Sequence, residues 1–133
     1  AAEDLTELQA GSYALMDARY RRVRPELENA LFVLATVLHA DGPRAVLDVG
    51  VKGCGGEFGP PELAGLALQP EGRRLSEEHF LVGGLSAGLR EGQKLRLVPG
   101  HGCTTCNLYD RLHLVDGEEV LEVWPIEASG WRR

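Results

Sequence analysis

His101 and Cys103 stand two residues apart in the stretch "PGHGCTTCNLYD", positions 99 to 110, and Cys106 follows three residues later. On a loop leaving a strand, side chains i and i+2 of extended chain point to the same side. An imidazole and a thiolate placed that way converge on one soft-to-borderline metal. Zinc suits both donors, at about 2.0–2.1 Å to nitrogen and about 2.3 Å to sulfur. A structural zinc takes four protein ligands. The motif offers three at most, counting Cys106, and only Cys54, His39, His79 and His113 could add to them. Two or three ligands leave open coordination positions, which is the catalytic arrangement. Two other readings stay open at this level. Cys103-x-x-Cys106 has the spacing of a redox pair, although that motif usually opens a helix in a βαβ setting and the context here reads as strand and loop. The thiols could equally be ordinary cysteines buried in a turn, where free cysteine is common.

Two further stretches carry reactive groups. Lys52 lies in "LDVGVKGCGG" and shares the chain's lysine complement with Lys94 alone. A lysine in a glycine-rich loop can bind phosphate, or form a Schiff base when desolvated. The G-x-x-x-x-G-K-[ST] order of a nucleotide loop is missing, and the ordinary reading is a surface lysine. In "SEEHF" (76–80) carboxylates stand beside His79. Such a pair can act as acid and base, or the carboxylate can orient the ring. On a strand Glu77 would share the face of His79 and Glu78 would not. The alternative is a charged turn entering a strand.

The elements that must position these groups fit one domain. The chain has 133 residues with a hydrophobic fraction of 44% and a charged fraction of 26%, ordinary for a globular protein with a single core. The net charge of −6 argues against general phosphate binding. The densest basic cluster, "RYRRVR" at 19–24, is followed closely by acidic residues, so a nucleic-acid partner is not expected. The longest apolar run, "ALFVLATVLHA" (30–40), is too short for a bilayer span, and no membrane association is expected. No basic region followed by an apolar stretch opens the chain, and three cysteines make a disulfide framework improbable. Both point to a reducing, cytoplasmic setting.

Along the chain, "GSYALMDARY" (11–20) reads as a strand and "RRVRPELENA" as a charged connection. The run at 31–39 is apolar on both faces, so its period does not separate a buried strand from a buried helix. Pro25 with Glu26 and Glu28 resembles a helix start, while the Phe-Val and Thr-Val pairs favour a strand. "DGP" (41–43) is a turn, and "RAVLDVG" is a short buried strand. Between 50 and 65, six glycines and two prolines within 16 residues predict a long loop without regular structure. Long loops of this kind tend to be functional. "LALQPEGRR" suggests a strand and turn, 79–82 another strand, and 94–98 a strand with period-2 alternation. Two alternating runs then flank Asp116-Gly117, a dipeptide suited to a tight hairpin turn, with Leu112, Leu114, Val120 and Val123 supplying an apolar side. Many short strands joined by Gly/Pro turns predict an all-β or mainly β fold, an antiparallel barrel or sandwich.

Taken in order, "GSYALMDARY", "AVLDVGVKG", "LSEEHF" and "LRLVPGHGCTTCNLYDRLHLVDGEEVLEVWPIEASG" resemble the C-terminal domain of the D-serine dehydratase and D-threonine aldolase family. These are pyridoxal-phosphate enzymes of the alanine-racemase fold type. The resemblance runs from about Gly11 to Gly130. Its most specific piece is the His-x-Cys followed by Thr105, Asn107, Leu108 and Asp110, then the hairpin and "VWPI". It implies that His101 and Cys103 bind a divalent metal beside the cofactor. Cysteine at the second position goes with zinc in the dehydratases, and aspartate is typical of the aldolases. It favours a strand for 31–39, and it implies that Lys52, His79, Thr105, Asn107 and Asp110 lie near the catalytic centre. Lys52 matches a lysine of the C-terminal domain. The Schiff-base lysine of the family belongs to an N-terminal α/β barrel that this sequence lacks, so the resemblance implies a domain that is incomplete alone and works within a homodimer. The substrate class implied is D-β-hydroxy amino acids.

The chain departs from the family pattern at several positions. Cys106 falls where an apolar residue is usual, Thr104 where proline is common, Ser129 where arginine precedes glycine, and Phe80 where glycine is usual. Gly55 and Glu57 replace serine and aspartate. A different class of reading keeps the same residues: a stand-alone, non-catalytic β-barrel module that binds a metal or a partner.

Overall fold

The structure is a computed structural model that describes residues 6–65, 72–85 and 88–129. The ambiguous apolar run becomes β1 (Val33–Asp41). Val33, Ala35 and Val37 are buried while the neighbouring Leu34 and Leu38 are 66% and 49% exposed. The period of two therefore appears in burial, although the hydrophobicity of the run conceals it. The Pro25 signal does not produce a helix; residues 25–27 form a turn and bend. Gly42, at φ +55, turns the chain into β2 (Arg44–Leu47), as the D-G-P stretch predicts.

Four more strands complete the main sheet: β3 (Glu62–Leu63), β4 (Arg73–Leu75), β5 (Phe80–Val82) and β6 (Lys94–Val98). Their order is β3–β6–β1–β2–β5–β4, and every pairing is antiparallel. Phe80, Leu47, Leu97 and Val37 fill the concave side without exposure. The sheet curls into a half-barrel, and its two edge strands approach each other. Arg73 on β4 reaches Glu62 on β3 at 3.8 Å. This is the mainly β, antiparallel architecture expected of the sequence.

Local expectations are corrected in three segments. "GSYALMDARY" is not a strand. It forms a 3-10 turn at Ser12–Ala14 and then α1 (Ala18–Val23). Met16, at φ +53, breaks the extended path, and Asp17 caps the helix by accepting from Arg19 N at 3.1 Å and Tyr20 N at 2.8 Å. The Gly/Pro-rich loop is not wholly irregular, because Glu62 and Leu63 join the sheet edge at β3. The strand expected in "LALQ" lies outside the described residues. The terminal hairpin, β7 (Arg111–Asp116) with β8 (Glu119–Pro125), turns through Gly117-Glu118 instead of Asp116-Gly117. Asp116 is already paired with Glu119, and Gly117 at φ +59 takes the first central position of the two-residue loop. A bulge sets two residues of β8 against one step of β7 between Leu114 and Val115. The hairpin forms its own two-stranded sheet. The register sets Leu112 and Leu114 against Trp124 and Glu122 on one face and His113 and Val115 against Val123 and Val120 on the other, so the single apolar side expected from Leu112, Leu114, Val120 and Val123 is not formed. Apolar residues of both faces are uncovered: Val115, Val120, Leu121, Val123 and Trp124 are all 45–54% exposed.

Candidate metal centre

Strand β6 delivers the chain through Pro99 and Gly100 to His101, which is extended at φ −142, ψ 117 and serves as N-cap of α2 (Gly102–Cys106). The strand-and-loop context expected for Cys103 and Cys106 is therefore a short helix. His101 and Cys103 are related as a helix N-cap and the second helical residue, and the same-side argument for extended chain does not apply to them. Buried Asp17 fixes this helix start, accepting from Gly102 N at 3.0 Å with the carboxylate oxygen that α1 leaves free. One carboxylate so ties the starts of two helices together. Buried Thr105 does comparable work from inside α2. Its hydroxyl donates to the His101 carbonyl at 2.7 Å and accepts from Gly55 N at 3.0 Å.

The His101 ring is held on two sides. Its Nδ1 is hydrogen-bonded to the Glu57 carboxylate, which also accepts from the Thr104 hydroxyl. Phe58 stacks on the ring with centroids 4.3 Å apart and planes at 26°, and the Arg19 guanidinium lies 4.0 Å over the Phe58 centroid. Partial burial pushes the Glu57 carboxyl up. The hydrogen bonds from Thr104, its own backbone and His101, with the His101 charge, outweigh that and leave it below the usual range. With Nδ1 facing a carboxylate, a neutral imidazole keeps its proton there and leaves the Nε2 lone pair as its donor. This is how metal-binding histidines are commonly oriented, and the nitrogen–sulfur donor set with Cys103 suits zinc.

Three of the departures from the family pattern meet at this point. A Cβ on Gly55 would lie 2.2 Å from Thr104 Oγ1. The space that a side chain at 55 would need is taken by the hydroxyl that binds Glu57. Gly55, Glu57 and Thr104 thus act as one arrangement.

All three cysteines are free thiols: Cys103 exposed, Cys106 half-buried and Cys54 fully buried. Burial, with the neighbouring Cys103, pushes the Cys106 thiol up. Burial raises Cys54 from 9.0 to about 11, with Glu57 adding to the rise and hydrogen bonds from Thr105 and Gly100 opposing it. Iodoacetamide at pH 8 is therefore expected to label Cys103 first and to leave Cys54 unmodified in the folded chain, since only about one part in a thousand of a thiol at pKa 11 is thiolate there. Peptide mass spectrometry reads this directly. The neutral Cys54 thiol is favoured in the fold, so its contribution is complete below pH 9 and is lost as pH rises through about 11. Rapid labelling of Cys54 at pH 8 would contradict its burial.

The other predicted site residues are not gathered at His101. Lys52 is exposed and held by Glu78 at 2.6 Å and Glu77 at 3.8 Å. The expected Glu77–His79 partnership is replaced by this pairing, because residues 77–78 bend instead of running as strand. Exposed His79 lends its backbone carbonyl to the Ser76 hydroxyl at 2.9 Å. The approach needs Gly50, where a Cβ would fall 2.1 Å from the Glu77 carbonyl oxygen. Asn107 is the C-cap of α2. Asp110 is exposed and pairs with Arg111 at 3.1 Å, which holds its carboxyl below the usual range. His39 pairs with Glu91 at 2.8 Å, and His113 lies on the hairpin. Among the described residues no group of three or more His, Cys, Asp or Glu side chains could hold a metal, so the four-ligand structural site is not formed.

Sequence reasoning missed Asp17, Phe58 and Tyr109 as parts of this neighbourhood. Asp17 had a readable signal, an aspartate directly before helix-forming residues. Phe58 and Tyr109 had none. Their roles depend on contacts 43 and 56 positions away, the Phe58 stack on His101 and the Tyr109 hydroxyl donating to the Gly53 carbonyl at 2.7 Å.

Residues 30–115 match the family described as "putative serine dehydratase domain". The 3-hydroxy-D-aspartate aldolase of Paracoccus denitrificans is 40% identical over 93% of the chain and 34% of its own length. The crystal structure of a D-threonine aldolase from Filomicrobium marinum superposes with a TM-score of 0.77 at 37% identity, covering 93% of this chain and 36% of that one. The D-threo-3-hydroxyaspartate dehydratase of Delftia sp. HT23 shares the fold, with a TM-score of 0.70 at 24% identity over 97% of this chain and 40% of that one. That dehydratase has also been solved as a cysteine-to-alanine mutant in a metal-free form and as a histidine-to-alanine mutant. The chain spans about a third of the length of the curated relatives it matches.

Proposed function

The chain belongs to the serine dehydratase domain family, and from that premise we propose that it is the metal-bearing C-terminal domain of a pyridoxal-phosphate-dependent lyase acting on D-β-hydroxy amino acids. The observation that carries the reading is His101: an N-cap histidine two residues before the exposed Cys103, whose Nδ1 is engaged by Glu57, so that Nε2 is the ring nitrogen left for a metal. The His-x-Cys spacing is also that of the two positions substituted in the Delftia mutants.

When bound, pyridoxal phosphate supplies an electron sink and a divalent metal supplies a Lewis acid for the substrate's β-hydroxyl. The contribution of this chain is to place the metal. Glu57 and Phe58 fix the plane and tautomer of His101. Thr105 and Asp17 fix the backbone from which His101 and Cys103 project. With two protein ligands, open positions are left for substrate oxygens. Lys52, exposed and paired with two carboxylates, is not in the desolvated setting that frees a lysine for Schiff-base chemistry. The covalent lysine comes from the remaining two thirds of such an enzyme. The uncovered apolar hairpin supports the same reading, since large exposed apolar patches mark surfaces that other protein covers.

The test joins this chain to an α/β barrel in one protein and assays aldehyde or ammonia release from D-threonine and D-3-hydroxyaspartate with added zinc. Cleavage of the D-isomers, with the 133-residue chain alone inactive, is the expected result. A complete enzyme that binds zinc and turns over neither D-amino acid would leave the stand-alone binding module as the better reading.

A further inference from the structure

Behind Phe58, on the side of α1, lies a cavity of about 440 Å³ lined by Arg19, Arg22, Phe58, Pro60, Arg73 and Gly100 among others. Arg19 and Arg22 stand three residues apart on α1, the spacing that places side chains on one helix face. Arg73 enters from β4. Glu62 is the one carboxylate paired with any of the three among the described residues, at 2.9 Å from Arg22 and 3.8 Å from Arg73. Among the described residues Arg19 pairs with no carboxylate and lies over the Phe58 ring face. Three guanidinium groups around a single carboxylate leave the cavity positively charged in a chain whose net charge is −6.

Arg73 shows that the excess has a direction. Its side chain is only 10% exposed, and its Nε is buried without a hydrogen-bond partner among the described residues. An unpaired donor on a buried cation is costly, and a guanidinium satisfies such donors best with the two oxygens of an oxyanion. The volume falls within the range of small-ligand sites, about 300–1,000 Å³.

We propose that this cavity is a binding site for a small oxyanion, a carboxylate or a phosphate, held by Arg19, Arg22 and Arg73. Phe58 joins it to the candidate metal centre, because the same ring carries Arg19 on its face and stacks on His101. The site is distinct from His101 and Cys103 and does not depend on a metal.

The test titrates the 133-residue chain with inorganic phosphate and, separately, with succinate. EDTA is present and ionic strength is held constant with sodium chloride. Calorimetry and thermal denaturation follow binding. A saturable heat and a saturable rise in Tm with one of the two anions is expected, and which anion gives it decides between the phosphate and carboxylate classes. Arg22→Gln and Arg19→Gln, both on exposed helix positions, are expected to weaken that binding about tenfold each while the Tm without anion stays near that of the parent. The proposal is overturned if neither anion acts beyond chloride. It is equally overturned if both variants bind as the parent does. Arg73→Met probes the buried cation, and retention of full anion affinity in a folded Arg73→Met variant would also overturn it.

Discussion

Zinc affinity falls at least about 100-fold when His101→Ala and Cys103→Ser are combined, measured by competition with a chromogenic chelator. Removing either ligand leaves a single protein donor, which holds a divalent ion only weakly against water, and removing both leaves none. The single variants are expected to fall between the parent and the double variant. Glu57→Gln is the more informative companion. It retains the side-chain volume but removes the charge that orients His101 through Nδ1, and loss of such a partner typically costs about 10–100-fold in metal affinity. His101 and Thr104 both bond Glu57 Oε1, an acceptor that a glutamine oxygen can still supply, so the effect isolates the carboxylate charge. Zinc binding in the double variant equal to that of the parent would show that the metal sits elsewhere or that none is held.

Asp17→Ala is expected to destabilise the chain by about 2–4 kcal/mol and to weaken zinc binding with it. Loss of the α1 cap costs about 1 kcal/mol, and the buried Gly102 N–H left without its acceptor costs about 1–3 kcal/mol more. The second part falls on the residue next to His101, so the N-cap geometry of α2 should loosen. Asp17→Asn keeps an acceptor oxygen for one of the two helix starts and is expected to recover part of the loss. Urea denaturation with and without zinc separates the two effects. An Asp17→Ala variant as stable as the parent would mean that the carboxylate does not join the helices. The zinc result alone would then concern only the ligands.

The two predictions differ in how far their basis can be read along the chain. His101 and Cys103 are two residues apart in sequence, and their donor chemistry is a property of residue type. The hairpin signal around residue 117 and the period-2 run at 94–98 are equally local, and both elements form where the sequence places them, the turn displaced by one residue. The family resemblance rests on the same short-range order of motifs. Where the local signal was divided, as at 31–39, alternating burial shows which side won. Val33, Ala35 and Val37 meet the core only because β2 and β6 flank them.

What escaped the sequence was whatever needs two distant segments in contact. A capping aspartate at 17 serves a helix 85 positions later. "DARY" looked like strand because β-forming and helix-forming residues mix there and the cap's partner lies out of view. Strand period places Glu77 on the face of His79, yet the bend at 77–78 gives it to Lys52. Glu57 reaches His101 from 44 positions away, and Arg73 reaches Arg22's partner Glu62 only because the sheet curls until its edge strands approach. The sequence by itself determined the mainly β class, the presence of a nitrogen and a sulfur donor at fixed spacing, and the family those motifs resemble. The tertiary structure alone decided which carboxylate faces the histidine, which aromatic covers it and where unpaired positive charge collects. Residue types and periods are local, whereas a pair of side chains 40 or more positions apart has no signature until the chain has folded them together.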